Sequence, residues 1–162
     1  MASGGLIVAR GGRNLVWHAD LVVQGIVVDQ ITREPAHLRE LLTDLDALHQ
    51  LRDGHFAASK NIDGSDPHLG RLVAARDGQL EGFLAGNPRT GHIALIGVRN
   101  EGAGVGTALL DAFLRHARAV ASTEITVVLD TEPHGRWRRR AFFEARMFTA
   151  SPGSHLHFHR GL

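Results

Sequence analysis

The stretch RNEGAGVGTALLDAFLRHA, residues 99 to 117, sets Gly102, Gly104 and Gly106 at alternate positions directly before an apolar run of helical period. Leu109, Leu110, Phe113, Leu114, Ala117 and Val120 recur at that period, which predicts an amphipathic helix opening on the glycines. A helix start leaves N–H groups without intrahelical partners and carries about half a positive charge, so it attracts phosphate. Glycines there remove the side chains that would hold a diphosphate away, and they equally suit a tight turn that binds nothing. Two common phosphate motifs fail on spacing: G-x-G-x-x-G begun at Gly102 needs a glycine where Thr107 stands, and the Gly-Lys-Ser/Thr of a P-loop is absent.

Upstream of the glycines the chain reads as strands in meander. HIALIGVR (His92 to Arg99) is β-rich, and RLVAARDGQLEGFLAG carries the Asp77-Gly78 turn signal between two strands. Before them, Leu38, Leu41, Leu42, Leu45, Leu48 and Leu51 predict a helix, with Pro35 suited to its first turn and Gly54 to its stop. The run from His55 to Gly70 is polar and turn-rich, a long loop with at most one short helix. GIVVDQIT (Gly25 to Thr32) reads as a strand, and Leu6 to Arg10 with Leu15 to Val23 as a preceding hairpin. Downstream, EITVVLD (Glu124 to Asp130) is a buried strand, GRWRRRAFFEARMF a short helix with a basic face, and HLHFHRGL a closing strand. The meander disfavours the repeated βαβ units of a dinucleotide-binding fold.

Composition narrows the classes. With 162 residues, 43% of them hydrophobic, the chain suits one domain. Lys+Arg 18 against Asp+Glu 17 gives no one-signed field for nucleic acid or an anionic membrane. The absence of cysteine removes disulfides, thiolate metal sites and a thiol nucleophile, and no apolar run approaches a membrane span. A cytoplasmic protein is expected. Tyrosine is absent too, against 11 histidines.

Glycine loop, following helix and element order together resemble the GNAT superfamily of acyl-CoA-dependent N-acyltransferases. Its signature Arg/Gln-x-x-Gly-x-Gly/Ala is matched in its glycines by EGAGVGTALL (Glu101 to Leu110), and its second segment, ending like LYEKLGF, is echoed by EITVVLD and FFEARMF (Phe142 to Phe148). The resemblance covers Gly25 to Leu162. It implies a mixed α/β fold with a mostly antiparallel sheet, splayed between strands 4 and 5 and flanked by helices, with residues 1–24 as an added N-terminal hairpin on a single domain. It implies acetyl-CoA, or another short acyl-CoA, as co-substrate, with no metal. The backbone around Gly102, Ala103, Gly104, Val105, Gly106 and Thr107 would hold the diphosphate, and Ile96 and Val98 would pair with the pantetheine arm. The acceptor would be a small-molecule or peptide amine, attacked in a ternary complex; a homodimer is open.

Two positions depart from the family. Glu101 stands where Arg or Gln is usual, so positive charge near the diphosphate would come from Arg99, Arg136 and Arg139, with Arg138 and Arg140 in the same cluster. Phe143 stands where a tyrosine commonly protonates the departing thiolate, and His134, Thr131 and Ser151 are candidate donors in its place, while Phe143 itself is expected to pack against the core with Trp137 and Phe148. A catalytically weak or inactive CoA-binding sensor is therefore the alternative function. His92, at the fourth-strand position where many relatives carry Glu, is the candidate base, with Ala94, Ile96 and Val98 expected on its face; Glu81 and Asp130 are reserves. Asp44, Asp46, Asp63 and Asp66 are candidates to attract a cationic amine. His155, His157 and His159 alternate on the last strand and face either solvent or substrate, since same-face neighbours ~7 Å apart rarely share one ion.

Overall fold

A seven-stranded sheet carries the site. The computed structural model describes residues 25–52, 54–129 and 135–162; the expected hairpin, Asp130, Thr131 and His134 lie outside them. Along the chain come β1 (Ile26–Gln30), α1 (Leu38–His49), α2 (Ser59–Asp63), β2 (Gly70–Arg76), β3 (Gln79–Asn87), β4 (His92–Val98), α3 (Val105–Ala119), β5 (Glu124–Val128), α4 (Arg136–Glu144), β6 (Thr149–Ala150) and β7 (His157–Gly161). The sheet order is β1-β2-β3-β4-β5-β7-β6. Every neighbouring pair is antiparallel except β4 with β5, so the mixed α/β architecture agrees with the expected one.

Each face of the sheet has its own core. On one face α3 buries Val105, Leu109, Leu110, Phe113 and Ala117 against Ile26, Leu84, Ile93 and Ile125. A fully buried Leu or Phe contributes ~1.5–3 kcal/mol, and the approach is close because β3 has glycines beneath the helix. A Cβ on Gly82 would lie 2.7 Å from Val105 Cγ1, and one on Gly86 2.8 Å from Phe113 Cε2. On the other face α1 buries Leu38, Leu41, Leu42 and Leu45 with Phe56, Phe83 and Ala85. The leucine period runs past the helix: Leu48 is 54% exposed and Leu51 lies beyond the end at His49.

The polar run after α1 is a built element. Buried Arg71 donates from Nη1 to the Asn61 and Ile62 carbonyls at 3.0 and 2.8 Å, and Asn61 Nδ2 donates to the Phe56 carbonyl at 3.0 Å. These bonds satisfy carbonyls around α2 that burial would otherwise leave unpaired.

At the other end of the chain, Phe143 and Phe148 are buried as expected, but Trp137 is 73% exposed. It sits in the first turn of α4. The histidine row shortens as well, because β7 begins at His157 and leaves His155 outside the strand. The α4 helix closes in a Schellman arrangement: Phe148 N–H donates to the Phe143 carbonyl at 3.1 Å and Met147 N–H to the Glu144 carbonyl at 3.1 Å. The rings of Phe143 and Phe148 meet at 5.1 Å across it. Met147 occupies the left-handed position, φ 68°, where the LYEKLGF segment has glycine. A side chain there costs ~1–2 kcal/mol, of which glycine returns part as backbone entropy, ~0.5–1 kcal/mol. We therefore expect Met147→Gly to raise the melting temperature by about 1–3 °C, read by thermal unfolding; a lower melting temperature would contradict a strained Met147.

Candidate functional site

The parallel pair β4/β5 is short. Only His92 faces Thr126 and Ile93 faces Val127; beyond them the strands part, β4 staying with β3 and β5 with β7. Arg99 N–H donates to the Glu81 carbonyl on β3 at 2.8 Å. Antiparallel alternation therefore turns the N–H and C=O groups of Ile96 and Val98 away from β3 and into the fork. The Val98 carbonyl meets His49 Nε2 at 3.3 Å.

At the mouth of the fork stands the glycine loop. Gly102 and Gly104 have φ 77° and 84°, a region that glycine enters at no steric cost. Arg76 Nη2 donates to the Ala103 carbonyl at 2.5 Å, tying the loop to β2. Gly104 is the N-cap of α3 and no side chain caps the helix. Its carbonyl takes the first helical bond, from Ala108 N–H at 3.0 Å. The N–H groups of Val105, Gly106 and Thr107 are thus the helix's unpaired donors, and all three residues line a cleft of about 410 Å³ with Ile96, Gly97 and Val98. On Gly106 a Cβ would lie 3.2 Å from Phe142 Cε2, so glycine also lets α4 close against α3.

The arginines divide by partner. Arg99 lies on the α1 side, its Nη2 2.7 Å from Asp44 Oδ2 and its Nη1 donating to the Leu80 carbonyl at 2.8 Å. Arg138 Nη1 lies 3.0 Å from Glu101 Oε2, so the unexpected carboxylate at the cleft mouth faces a counter-charge. Arg139 lines the cleft, Arg136 does not, and Arg140 pairs with Glu144 at 2.8 Å. Arg146, from just beyond α4, also lines the cleft.

Of the proposed catalytic groups, His92 sits at the apex of the fork, outside the cleft lining, with Nδ1 3.0 Å from Thr126 Oγ1. Partial desolvation of its ring lowers its pKa from the ordinary 6.5. Its expected face is corrected by a bulge: Ala85 faces Leu95 and Gly86 faces Ile93, leaving Ala94 extra. Ile93, Ile96 and Val98 pack toward α3, and His92 and Ala94 turn to the opposite, exposed face. Glu81 is the extra residue of a second bulge, on β3 against β2, and accepts from Asn100 Nδ2 at 3.2 Å. Phe143, 3% exposed, presents an aromatic ring to the cleft. Ser151 Oγ meets His159 Nδ1 at 3.2 Å and Ser154 Oγ meets His157 Nδ1 at 2.7 Å. Among the described residues no group of three or more His, Asp or Glu is placed to hold a metal ion.

The acidic residues proposed to attract an amine have local partners. Asp44 takes Arg99, and Asp46 accepts the N–H groups of Phe56 and Ala57 at 2.6 and 3.0 Å. Asp63 and Asp66 accept those of Ser65 and His68, two residues on, at 2.8 and 2.9 Å. His49 and Arg146 line the cleft although the sequence does not mark them as candidates. His49 reaches the fork from the end of α1, half-buried with its pKa lowered by burial, and only the packing of α1 reveals it. Arg146 had a legible signal, a charge where LYEKLGF has leucine.

Comparison with known proteins agrees with this geometry. Residues 35–147, more than half of the chain, match the model of the acetyltransferase (GNAT) family. An aminoglycoside 6'-N-acetyltransferase complexed with coenzyme A has the same fold, with TM-score 0.63 at 15% identity over 83% of this chain and 96% of that one. So does a ribosomal-protein-alanine N-acetyltransferase from Brucella melitensis, at 0.58 and 19% over 80% and 94%. An acetyltransferase from Thermus thermophilus gives 0.62 and 17% over 83% and 97%. No curated protein gives a significant match, and among the described residues no helix is long and apolar enough to cross a membrane. The fork, the uncapped α3 and the family match lead to one assignment: the chain belongs to the acetyltransferase (GNAT) family.

Proposed function

We propose that the protein is an N-acyltransferase that moves an acetyl or other short acyl group from acyl-CoA to a primary amine by direct attack in a ternary complex. One observation carries this reading: unpaired N–H groups of an uncapped helix open onto a cleft that continues into a fork with free strand edge. Such a site offers a diphosphate an electrostatic seat and an extended amide chain a strand to pair with. Acyl-CoA, when bound, supplies an activated acyl carbon and a thiolate leaving group.

In this reading Val105, Gly106 and Thr107 hold the diphosphate through N–H groups, and Gly102, Ala103 and Gly104 keep the approach open. Ile96 and Val98 pair with the pantetheine amides. His92, whose pKa is lowered by partial desolvation of its ring, accepts the proton that the amine sheds as its nitrogen bonds to the acyl carbon. The C–S bond breaks as the C–N bond forms. Phe143 has no proton to give, so the thiolate, of ordinary pKa ~8.5, leaves unassisted from that position and takes its proton from His134 or water. Glu81 is the reserve base, and Arg99, Arg136 and Arg139 are candidates for longer-range contact with the phosphates. The acceptor is a small-molecule or peptide amine; the names of two proteins of the same fold give one of each kind, an aminoglycoside and a ribosomal-protein alanine. Phe143 favours a second reading, a CoA-binding sensor of the same fold, which would bind acetyl-CoA without transferring its acyl group to any of a panel of amines.

Calorimetric titration should show saturable acetyl-CoA binding, and Gly104→Val should weaken it tenfold or more. A β-branched residue at φ 84° costs on the order of 1–3 kcal/mol or reshapes the loop. An unchanged affinity in a folded variant would reduce the loop to a turn.

For the base, kcat/KM should fall as pH drops through a midpoint below 6.5, because only the neutral imidazole accepts a proton. His92→Ala should remove that limb and lower kcat by a factor of about 10² or more with acetyl-CoA affinity unaltered. A variant that keeps both rate and profile would remove His92 from the mechanism.

A further inference from the structure

We propose that Arg146, acting with the Thr107 hydroxyl, supplies the cationic contact to the cofactor diphosphate that Glu101 cannot give. This inference rests on the acyl-CoA reading above. Arg146 is the fifth residue of FFEARMF, where LYEKLGF has leucine, so its charge is a property of this chain. The guanidinium lies 3.8 Å above the Phe142 ring, donates from Nη1 to the Phe142 carbonyl at 2.8 Å, and donates from Nη2 to Thr107 Oγ1. A stacked, doubly bonded guanidinium is held in one place, and two of its five N–H groups are used in holding it.

That place is electrostatically adverse without an anion. Thr107 is in the first turn of α3, whose unpaired N–H groups already carry partial positive charge, and cations favour the opposite end of a helix. Among the described residues Arg146 forms no ion pair with a carboxylate; Asp111, one turn along α3, acts on it at longer range. Stacking on Phe142 and bonds to neutral oxygens keep the charge where it repels the helix end. A diphosphate seated on the Val105, Gly106 and Thr107 amides would turn that repulsion into attraction from both sides.

Thr107 extends the contact. Its Oγ1 accepts from Arg146, which leaves the hydroxyl hydrogen to donate elsewhere. Thr107 and Arg146 both line the cleft, so that hydrogen is within reach of an acceptor bound there. The Glu101 carboxylate does not cancel the effect, because Arg138 faces it at 3.0 Å.

The test compares donors with and without a diphosphate on wild type, Arg146→Met and Arg146→Lys, using calorimetric Kd for acetyl-CoA and KM for S-acetylpantetheine. Arg146→Met should raise the acetyl-CoA Kd about 10- to 100-fold, the worth of charge-assisted hydrogen bonds, and Arg146→Lys should recover part of it. KM for S-acetylpantetheine should stay within about twofold, because that donor has nothing for Arg146 to hold. The wild-type acetyl-CoA Kd should rise with added salt while that of Arg146→Met rises less. Unchanged acetyl-CoA affinity in Arg146→Met overturns the inference alone, as does an equal loss with both donors, which would make Arg146 a packing residue. A wild-type chain that binds no acetyl-CoA overturns the acyl-CoA reading and this inference with it.

Discussion

Everything at the site follows from how briefly β4 and β5 stay together. Parallel strands bond through evenly spaced, slanted hydrogen bonds that continue as long as the strands run side by side; here the pairing covers two residues on each strand. Its base is held by a very close approach: Thr126 N–H donates to the Gly91 carbonyl at 2.9 Å, and a Cβ on Gly91 would lie 1.8 Å from the Glu124 carbonyl oxygen. Past that point β3 and β7 draw the strands apart. The sheet thus gains an internal edge, whose backbone groups, free of strand pairing, face a cleft and not another molecule of the same kind.

A second constraint sets the helix against the fork. With Gly82 and Gly86 beneath it, α3 sits close on β3, and its start is held beside the open end of β4 by a loop of only a few residues. Local chemistry then decides charge. Glu101 places a carboxylate at the entrance, and the surrounding arginines have separate partners: Arg138 on Glu101, Arg99 on Asp44, Arg146 against the first turn of α3. Exposed pairs such as the first contribute little to stability, so their importance lies in the potential that they create at the mouth of the cleft.

The architecture was legible because it is written in local patterns. Leucines at helical period marked α1, glycines before an apolar run marked α3, and β-rich runs between turn signals marked the meander. The misreadings arose where a pattern ran past its element or where pairing intervened. Leu48 keeps the helical period but has no partner to bury it, and Trp137 is apolar on a helix face that nothing covers. The bulge at Ala94 reverses the face expected for His92, because one extra residue in a strand shifts every later side chain to the other side. Asp46, Asp63 and Asp66, singled out for their charge, serve backbone N–H groups close by, a competition between local bonding and ligand attraction that composition does not record.

Residue order alone dictated the element types, the glycine approach to a helix start, and the absence of thiol and phenol chemistry, since each depends on the covalent chain and on neighbours a few residues away. Folding in three dimensions decided which charges remain beside the cleft, which strand face each histidine occupies, and that His49 and Arg146 reach the site. Those outcomes depend on contacts between residues far apart in the chain, such as Arg146 with Thr107 and His49 with Val98, and short-range pattern carries no information about which distant groups will meet.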